Sequence, residues 1–244
     1  MKNFLSIDQG TTSSRSIIFD ENLNLVLDAQ EEYDLTYPED GWVELEPKKI
    51  IETVTNTLNK VVNADLGIEA CGITNQRETT IVWSKSTGEA IYPGIVWQDR
   101  RTHEYCSYLK SNGHESVIKE KTGLLLDPYF SATKIKWILD NVDGAREKAS
   151  KGELLFGTVD SYLIYMLSKE KNHFTDVTNA SRTLLFNIKS MEWDDELLEL
   201  FEIPKTMMPE VLSCDGDFGN LKINDSEIPI RGVIGAPITP LMGI

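Results

Sequence analysis

The sequence predicts an α/β protein in which helices cover a mixed β-sheet. Between residues 3 and 29, short apolar runs are separated by turn residues, a pattern typical of consecutive antiparallel strands. From Pro47 to Val62, apolar side chains recur at helical spacing, and a proline is tolerated in the first turn of a helix. Later apolar runs of strand length alternate with helical patterns, and this alternation favours helices packed on a sheet.

The elements can be placed in chain order from the same signals. The predicted strands cover residues 3–8, 15–20, 24–29, 68–74, 79–83, 91–97, 154–159 and 230–234. The predicted helices cover residues 47–62, 99–112, 131–142 and 160–169. Ser131 is expected to cap the helix that it begins. Because no repeat or long Gly/Ser linker divides the chain, we expect one compact unit.

Composition excludes several classes of partner. The 244 residues include 24 Lys and Arg against 39 Asp and Glu, and the net charge of −15 opposes binding to nucleic acid or to anionic lipid. No apolar stretch approaches membrane-spanning length, so we expect no membrane insertion and a cytoplasmic location. The cysteines, few and widely separated, lack the spacing of a zinc site and fit a reducing compartment: Cys71, Cys106 and Cys214.

The first turn of the chain admits two interpretations. Gln9-Gly10 between two apolar runs fits an ordinary β-hairpin. Alternatively, Gly10 lets the backbone approach an anion closely, and the hydroxyl residues from Thr11 to Ser14 offer donors to phosphate oxygens. Asp8, at the strand end, is then placed to hold a magnesium ion through water. These residues alone leave both interpretations open.

Several long blocks of the sequence form a recognisable set: "SIDQGTTSSR" at 6–15, "GITNQRETTIVW" at 72–83, "DPYFSATKIKWILD" at 127–140 and "TNASRTLLFNI" at 178–188. In this order, these blocks resemble the glycerol kinases of the FGGY carbohydrate kinase family. The resemblance implies that residues 1–235 form the N-terminal domain of an actin- and hexokinase-like ATPase fold, with a ribonuclease H-like mixed sheet flanked by helices. It also implies phosphorylation of glycerol to glycerol 3-phosphate by ATP and Mg²⁺, in a cleft between two lobes.

The resemblance assigns the opening hairpin to phosphate binding. Asp8 is expected to bind magnesium through water. Thr11, Thr12 and Ser13 are expected to contact the transferred phosphoryl group, and Arg15 to offset its charge. On this basis the hairpin-only interpretation is set aside in favour of a phosphate loop.

The resemblance further assigns Arg77, Glu78, Trp97 and Tyr129 to the polyol. An arginine that donates and a carboxylate that accepts can bind a neutral triol, with Trp97 on its carbon backbone and Tyr129 adding a phenolic hydrogen bond. Because neighbours on a strand point to opposite faces, Arg77 and Glu78 reach one ligand only from a loop or bulge. Without the resemblance, the same residues fit a surface ion pair, a core tryptophan and a turn tyrosine.

The sequence departs from the family after Gly235. Ala236 occupies the position of the aspartate that, in the family, acts as general base toward glycerol and helps hold magnesium, so no catalytic residue is assigned. Pro237 and Pro240 oppose the helix that the resemblance implies there. Residues 236–244 are therefore interpreted as a divergent tail in place of the start of the second lobe. A frameshift or truncated reading frame explains the change, although "LMG" at 241–243 leaves gradual divergence open.

These departures shape the expected function. A positioned general base contributes about 10²–10⁴ in rate, and phosphoryl transfer depends on positioning between two lobes. We therefore expect this chain alone not to phosphorylate glycerol usefully, with the adenosine site absent. The alternatives are a non-catalytic polyol-binding or regulatory fragment and a kinase for another sugar or polyol. For such a fragment we expect self-association through the surface that the second lobe covers.

Overall fold

The computed structural model describes residues 2–62 and 66–236. The strands are β1 (Asn3–Gln9), β2 (Ser13–Asp20), β3 (Leu25–Glu32), β4 (Glu44–Leu45), β5 (Ile68–Asn75), β6 (Ile81–Ser84), β7 (Gly94–Ile95), β8 (Leu154–Gly157), β9 (Phe174–Asp176), β10 (Phe186–Asn187), β11 (Glu192–Trp193), β12 (Glu210–Leu212), β13 (Asn220–Ile223) and β14 (Ser226–Gly235). The helices are α1 (Pro47–Val61), α2 (His103–Ser111), α3 (Glu115–Thr122), α4 (Ser131–Asn141), α5 (Ala145–Ser150), α6 (Val159–Leu167), α7 (Val177–Ala180) and α8 (Asp195–Leu200), with a 3₁₀ turn at Lys205–Met207.

A six-stranded mixed sheet in the order β13-β14-β5-β1-β2-β3 forms the centre of the fold. Strands β1, β5 and β14 run parallel, whereas β2, β3 and β13 pair antiparallel with their neighbours. At the carboxyl ends of the parallel strands, Gln9 pairs with Asn75, and Asn75 pairs with Gly235. The three strands therefore end at the same level, and the segments that follow them meet at one edge of the sheet.

Side chains alternate between the two faces of this sheet, and those on one face are buried in the main core. On β1, Leu5 and Ile7 are buried in the main core while Asp8 on the opposite face is exposed. Helix α1 packs against β2 and β3. Two hydroxyl pairs join the helix to β2 inside the core, Ser14 with Thr53 at 2.9 Å and Ser16 with Thr57 at 2.8 Å.

A second core lies around the antiparallel pair of β6 and β8, with α2, α3, α4, α5 and α8 around it. A buried ion cluster ties this part to the chain before α1. The Arg101 guanidinium lies 3.8 Å from the Trp42 ring centroid and 4.6 Å from that of Trp137. It donates to Glu44 and Asp99, each at 2.8 Å, and its side chain is fully covered. Both carboxylates thus share one guanidinium as their hydrogen-bond donor inside the protein, and buried charges need such partners.

The structure confirms the mixed sheet and most of the predicted long elements. Two predictions need correction. The strand predicted at 91–97 is too long. Only the two residues of β7 form a strand, because the neighbouring residues pair only through isolated bridges. Ser131 is the first residue of α4 and not its cap, since Phe130 holds that position and the Ser131 hydroxyl donates to the Glu78 carbonyl at 3.2 Å.

Membrane and cysteine features can be stated for the described residues. No helix among them combines the length and the apolar character needed to cross a bilayer. Cys71, Cys106 and Cys214 are all free thiols. His103 is exposed on α2, whereas Met207 and Met208 pack in the second core.

A buried carboxyl group lies in the first turn of α6. Asp160 is completely covered and accepts hydrogen bonds from the hydroxyls of Thr158 and Thr175. Burial, together with the charge of Asp176, raises the pKa of Asp160 from its usual 3.8 to about 7. Because the folded state holds this proton more tightly than the unfolded chain, the stabilisation is complete below about pH 4 and is lost as pH rises through about 7.

Replacing Asp160 by Asn should remove this pH dependence. Between pH 5 and pH 8 the free energy of unfolding of the wild type should fall by on the order of 2 kcal/mol relative to Asp160→Asn. Urea unfolding at both pH values measures the difference, with the exposed Asp143→Asn as the matched control. Equal pH dependence in wild type and Asp160→Asn would show that Asp160 is ionised throughout.

Candidate active site

A pocket of about 350 Å³ opens where the parallel strands of the central sheet end. The segments after β1, β5 and β14 supply most of its wall, and two aromatic side chains from other loops complete it. The lining residues are Asp8, Gln9, Gly10, Thr11, Gln76, Arg77, Glu78, Trp97, Tyr129 and Ala236. All four residues predicted to bind the polyol, and two of those predicted for phosphate and metal, therefore lie in one pocket.

The hairpin between β1 and β2 is held by a buried polar network. The Gly10 carbonyl accepts hydrogen bonds from the Tyr33 hydroxyl at 2.7 Å and from the side-chain amides of Gln9 and Gln76 at 2.7 and 3.1 Å. The same two amides donate to the Tyr33 oxygen at 2.6 and 3.2 Å. Burial raises the pKa of Tyr33 to about 12, so the phenol keeps its donor proton. The network fixes the loop beside the pocket.

Trp97 connects the hairpin to the opposite wall of the pocket. Its indole Nε1 donates to the Thr11 hydroxyl at 3.1 Å, and its backbone N–H donates to the Thr79 hydroxyl at 3.3 Å. Its ring meets that of Tyr129 edge to face, with centroids 5.7 Å apart. The two aromatic side chains thus form a fixed apolar wall with polar atoms at its rim.

Arg77 and Glu78 lie in the loop between β5 and β6, as required for both to reach one ligand. Glu78 adopts the left-handed conformation, with φ of 63°, which turns the chain sharply at this point. The Arg77 side chain crosses Gly235, where a Cβ atom would lie 2.4 Å from the arginine Cδ. The Arg77 Nε is buried and has no hydrogen-bond partner among residues 2–62 and 66–236. An unpaired buried donor is costly, and because Arg77 lines the pocket, this donor is available to a ligand.

Two cations that the sequence did not single out hold Glu78. The carboxylate is 1% exposed, and Arg182 Nε donates to its Oε1 at 2.6 Å. The Lys134 ammonium, fully buried in α4, donates to the Tyr129 carbonyl at 2.8 Å and approaches the Glu78 carbonyl at 3.4 Å. Burial lowers the pKa of Lys134 to about 7. The buried Lys134 therefore holds the backbone carbonyls of both Glu78 and Tyr129.

The other residues predicted for phosphate binding lie on the hairpin outside the pocket lining. The Thr12 and Ser13 carbonyls accept from the backbone N–H groups of Tyr33 and Gly10. Arg15 pairs across the strands with Asp8, but its guanidinium donates to Asp28, at 2.7 Å from Nη2. The contacts of Thr12, Ser13 and Arg15 with a phosphoryl group stay predictions.

Asp8 offers chemistry that fits a magnesium ion. It is exposed at the end of β1, and Thr11 follows in the pocket wall. Carboxylate and water oxygens are the ligands that Mg²⁺ prefers, and it is commonly held through one carboxylate plus substrate phosphates. Within the described part of the chain, no cluster of three or more His, Cys, Asp or Glu forms a metal cage. The donor set therefore fits a metal that arrives with its phosphate ligand.

Ala236 closes the pocket at the end of β14 without a polar side chain. Its N–H donates to the Asn75 carbonyl at 2.8 Å, and the Gly235 N–H donates to the Thr178 hydroxyl at 2.8 Å. Asn75 and Asn179 exchange two side-chain amide bonds at 3.0 and 3.1 Å beside this strand end. The position of Ala236 is thus well defined. The predictions for Pro237, Pro240 and "LMG" at 241–243 lie outside the described residues.

The fold is the one found in sugar kinases of the actin- and hexokinase-like class. It superposes on Plasmodium falciparum glycerol kinase with ADP with a TM-score of 0.91 and 35% identity, covering 96% of this chain and 48% of that one. Ligand-bound xylulose kinase from Lactobacillus acidophilus gives 0.83 at 23% identity over 96% and 48%, which supports the fold alone. The predicted ribonuclease H-like fold is therefore confirmed.

Sequence comparison gives the family. The profile of the N-terminal domain of the FGGY family of carbohydrate kinases matches residues 3–234. Glycerol kinases from Alteromonas mediterranea and Oceanobacillus iheyensis are 55% and 53% identical over 99% of this chain and 50% of their own length. The chain belongs to the FGGY family of carbohydrate kinases, and it spans about half the length of the curated relatives it matches.

Removing the Tyr33 hydroxyl should weaken the fold measurably. In Tyr33→Phe, the Gly10 carbonyl loses one hydrogen-bond donor, and the side-chain amides of Gln9 and Gln76 lose an acceptor that they share. We expect a loss of about 1–3 kcal/mol in the free energy of unfolding, measured by urea denaturation. Tyr37→Phe, at a tyrosine 69% exposed, is the control and should change stability by less than about 0.5 kcal/mol. Equal effects of the two variants would contradict the buried network.

The buried ammonium gives a second pH test, of opposite sign to that of Asp160. Because the pKa of Lys134 is lowered from 10.5 to about 7 on folding, the unfolded chain binds the extra proton between these values, and wild-type stability rises with pH there. Relative to Lys134→Met, the wild type should gain on the order of 2 kcal/mol between pH 7 and pH 9. Urea unfolding tests this, with the exposed Lys119→Met as control. Parallel pH profiles would contradict the shift.

Proposed function

We propose that this chain binds glycerol or a similar small polyol in the pocket at the ends of β1, β5 and β14, as a domain of an ATP-dependent glycerol kinase-type phosphotransferase. The observation that carries the proposal is the pairing of an unpartnered buried donor, Arg77 Nε, with a buried carboxylate, Glu78, at one pocket. The names of the relatives, glycerol kinases in each case, support the same substrate class.

The chemistry of the wall suits a neutral triol. Each hydroxyl of a polyol can donate one hydrogen bond and accept others, so a guanidinium donor and a carboxylate acceptor can bind neighbouring hydroxyls. The aromatic wall of Trp97 and Tyr129 offers apolar area to the C–H groups, and the phenol adds a polar atom. A charged sugar acid would leave one of the two charged side chains unmatched. The pocket therefore favours an uncharged substrate.

The phosphate side of the pocket is assigned to the hairpin. Asp8 would hold Mg²⁺ through water, and Thr11, Thr12 and Ser13 would contact the phosphoryl group of ATP, with Arg15 offsetting its charge. When bound, the metal neutralises phosphate charge that these side chains cannot neutralise alone. For Arg15 to serve this role, its guanidinium has to share its contact with Asp28.

Because residue 236 is alanine, we propose that this chain binds the polyol but phosphorylates it slowly or not at all. The attacking hydroxyl has to lose a proton, and a positioned base contributes about 10²–10⁴ in rate. The carboxylates that line the pocket are Asp8 and Glu78, which the proposal assigns to metal and polyol. A non-catalytic, polyol-binding role is thus the second candidate, favoured by this one position. We assign residues 1–235 to the N-terminal kinase domain, in agreement with the profile match at 3–234.

Isothermal titration calorimetry with glycerol tests the proposal. Glu78→Gln and Arg77→Met should each weaken binding by about tenfold or more, because each removes a charge-assisted hydrogen bond to the ligand. Glu120→Gln, in a surface ion pair with Lys189, is the control and should bind like the wild type. A coupled kinase assay with Mg-ATP on the same samples should show little turnover.

The outcomes separate the candidate functions. Absence of glycerol binding by the wild type, or equal binding by all variants, would overturn the polyol site. Protein-dependent turnover by the wild type would overturn the expectation of inactivity and would mean that another group accepts the proton.

A further inference from the structure

Arg182 lies outside the pocket lining but contacts two of the residues in it. It follows α7 in the chain, 104 positions after Glu78, and its side chain is 22% exposed. Its Nε donates to Glu78 Oε1 at 2.6 Å, and the same guanidinium lies 4.9 Å from the Phe130 ring centroid and 5.9 Å from that of Tyr129. One cation therefore contacts both the acidic and the aromatic part of the pocket.

The hydrogen bond from Arg182 to Glu78 joins one nitrogen to one carboxylate oxygen. A forked arginine pair would occupy both carboxylate oxygens. Here the hydrogen bond reaches Oε1 from Nε, while Glu78 lines the pocket. This geometry orients the carboxylate and keeps acceptor capacity on Oε2.

We propose that Arg182 is a positioning residue for polyol binding, which orients the Glu78 carboxylate so that Oε2 accepts a hydrogen bond from a substrate hydroxyl. This inference rests on the polyol site proposed above. It gives a role to a residue that lies outside the pocket wall and far in the sequence from the residues predicted to bind the substrate.

The physical reason is the cost of a lone buried charge. Glu78 is 1% exposed, and removing one partner of a buried ion pair leaves the other charge uncompensated. Without the Arg182 Nε contact, the carboxylate is no longer held with Oε2 toward the pocket. The other charged and titratable groups facing Glu78 are Arg77, Tyr129 and Lys134, and the Lys134 ammonium is already bonded to the Tyr129 carbonyl. None replaces the Nε contact.

The test compares Arg182→Met and Arg182→Lys with Arg146→Met, which breaks a surface ion pair with Asp140 far from the pocket. Glycerol binding is measured by calorimetry. A double-mutant cycle with Glu78→Gln separates an effect that acts through Glu78 from a general loss of structure, because substitutions that act through one contact are not additive.

We expect Arg182→Met to bind glycerol about 10- to 100-fold more weakly than the wild type. In the Glu78→Gln background, the same substitution should weaken binding much less. Arg182→Lys should recover part of the affinity, because the charge returns without the fixed Nε geometry. Arg146→Met should bind glycerol like the wild type.

Two results would overturn the inference: Arg182→Met binding like the wild type, or an equal loss of affinity from Arg182→Met in the wild-type and Glu78→Gln backgrounds, which a merely structural role produces. Absence of glycerol binding by the wild type would contradict the proposed function instead. In that case crystal structures of the wild type and Arg182→Met decide by themselves whether Arg182 orients the Glu78 carboxylate.

Discussion

The pocket depends on one constraint, the parallel pairing of β1, β5 and β14 with their carboxyl ends in register. Gln9, Asn75 and Gly235 are Cα partners across the three strands, so the chain leaves the sheet at three adjacent points. A one-residue slip of β5 would turn its buried face outward and move the Arg77 loop away from the hairpin. The alternation that buries Ile7 and Ile73 therefore also fixes where Arg77 lies.

Buried polar groups then convert this meeting point into a defined site. Tyr33 and two glutamine amides hold the hairpin carbonyl, while Lys134 and Arg182 hold Glu78 and Tyr129. Such groups are costly unless they are paired, so their geometry is strongly determined once the pairs form. Arg77 Nε is the exception among these groups. A site that leaves one buried donor without a protein partner is prepared for a ligand that can accept from it.

The sequence allowed the β-meander, α1 and the loop position of Arg77 and Glu78 to be predicted, because alternation, helical period and a polar break are local signals. It also allowed the four polyol-site residues to be grouped, through resemblance to a family. Tyr33 and Arg182 escaped prediction, since their roles arise from contacts over 23 and 104 positions that no local pattern records. The strands of two or three residues from β9 to β12 escaped for a related reason, being too short to carry a period.

The most direct test of the central claim is a crystal structure of this chain grown with glycerol. The account predicts glycerol between the aromatic wall and the Arg77 loop, with hydroxyl oxygens roughly 2.7–3.2 Å from Arg77 Nε and from Glu78 Oε2. Arg182 should keep its contact with Oε1 in that complex. A pocket without glycerol at saturating concentration, with Arg77 Nε bonded to a protein group, would contradict the account.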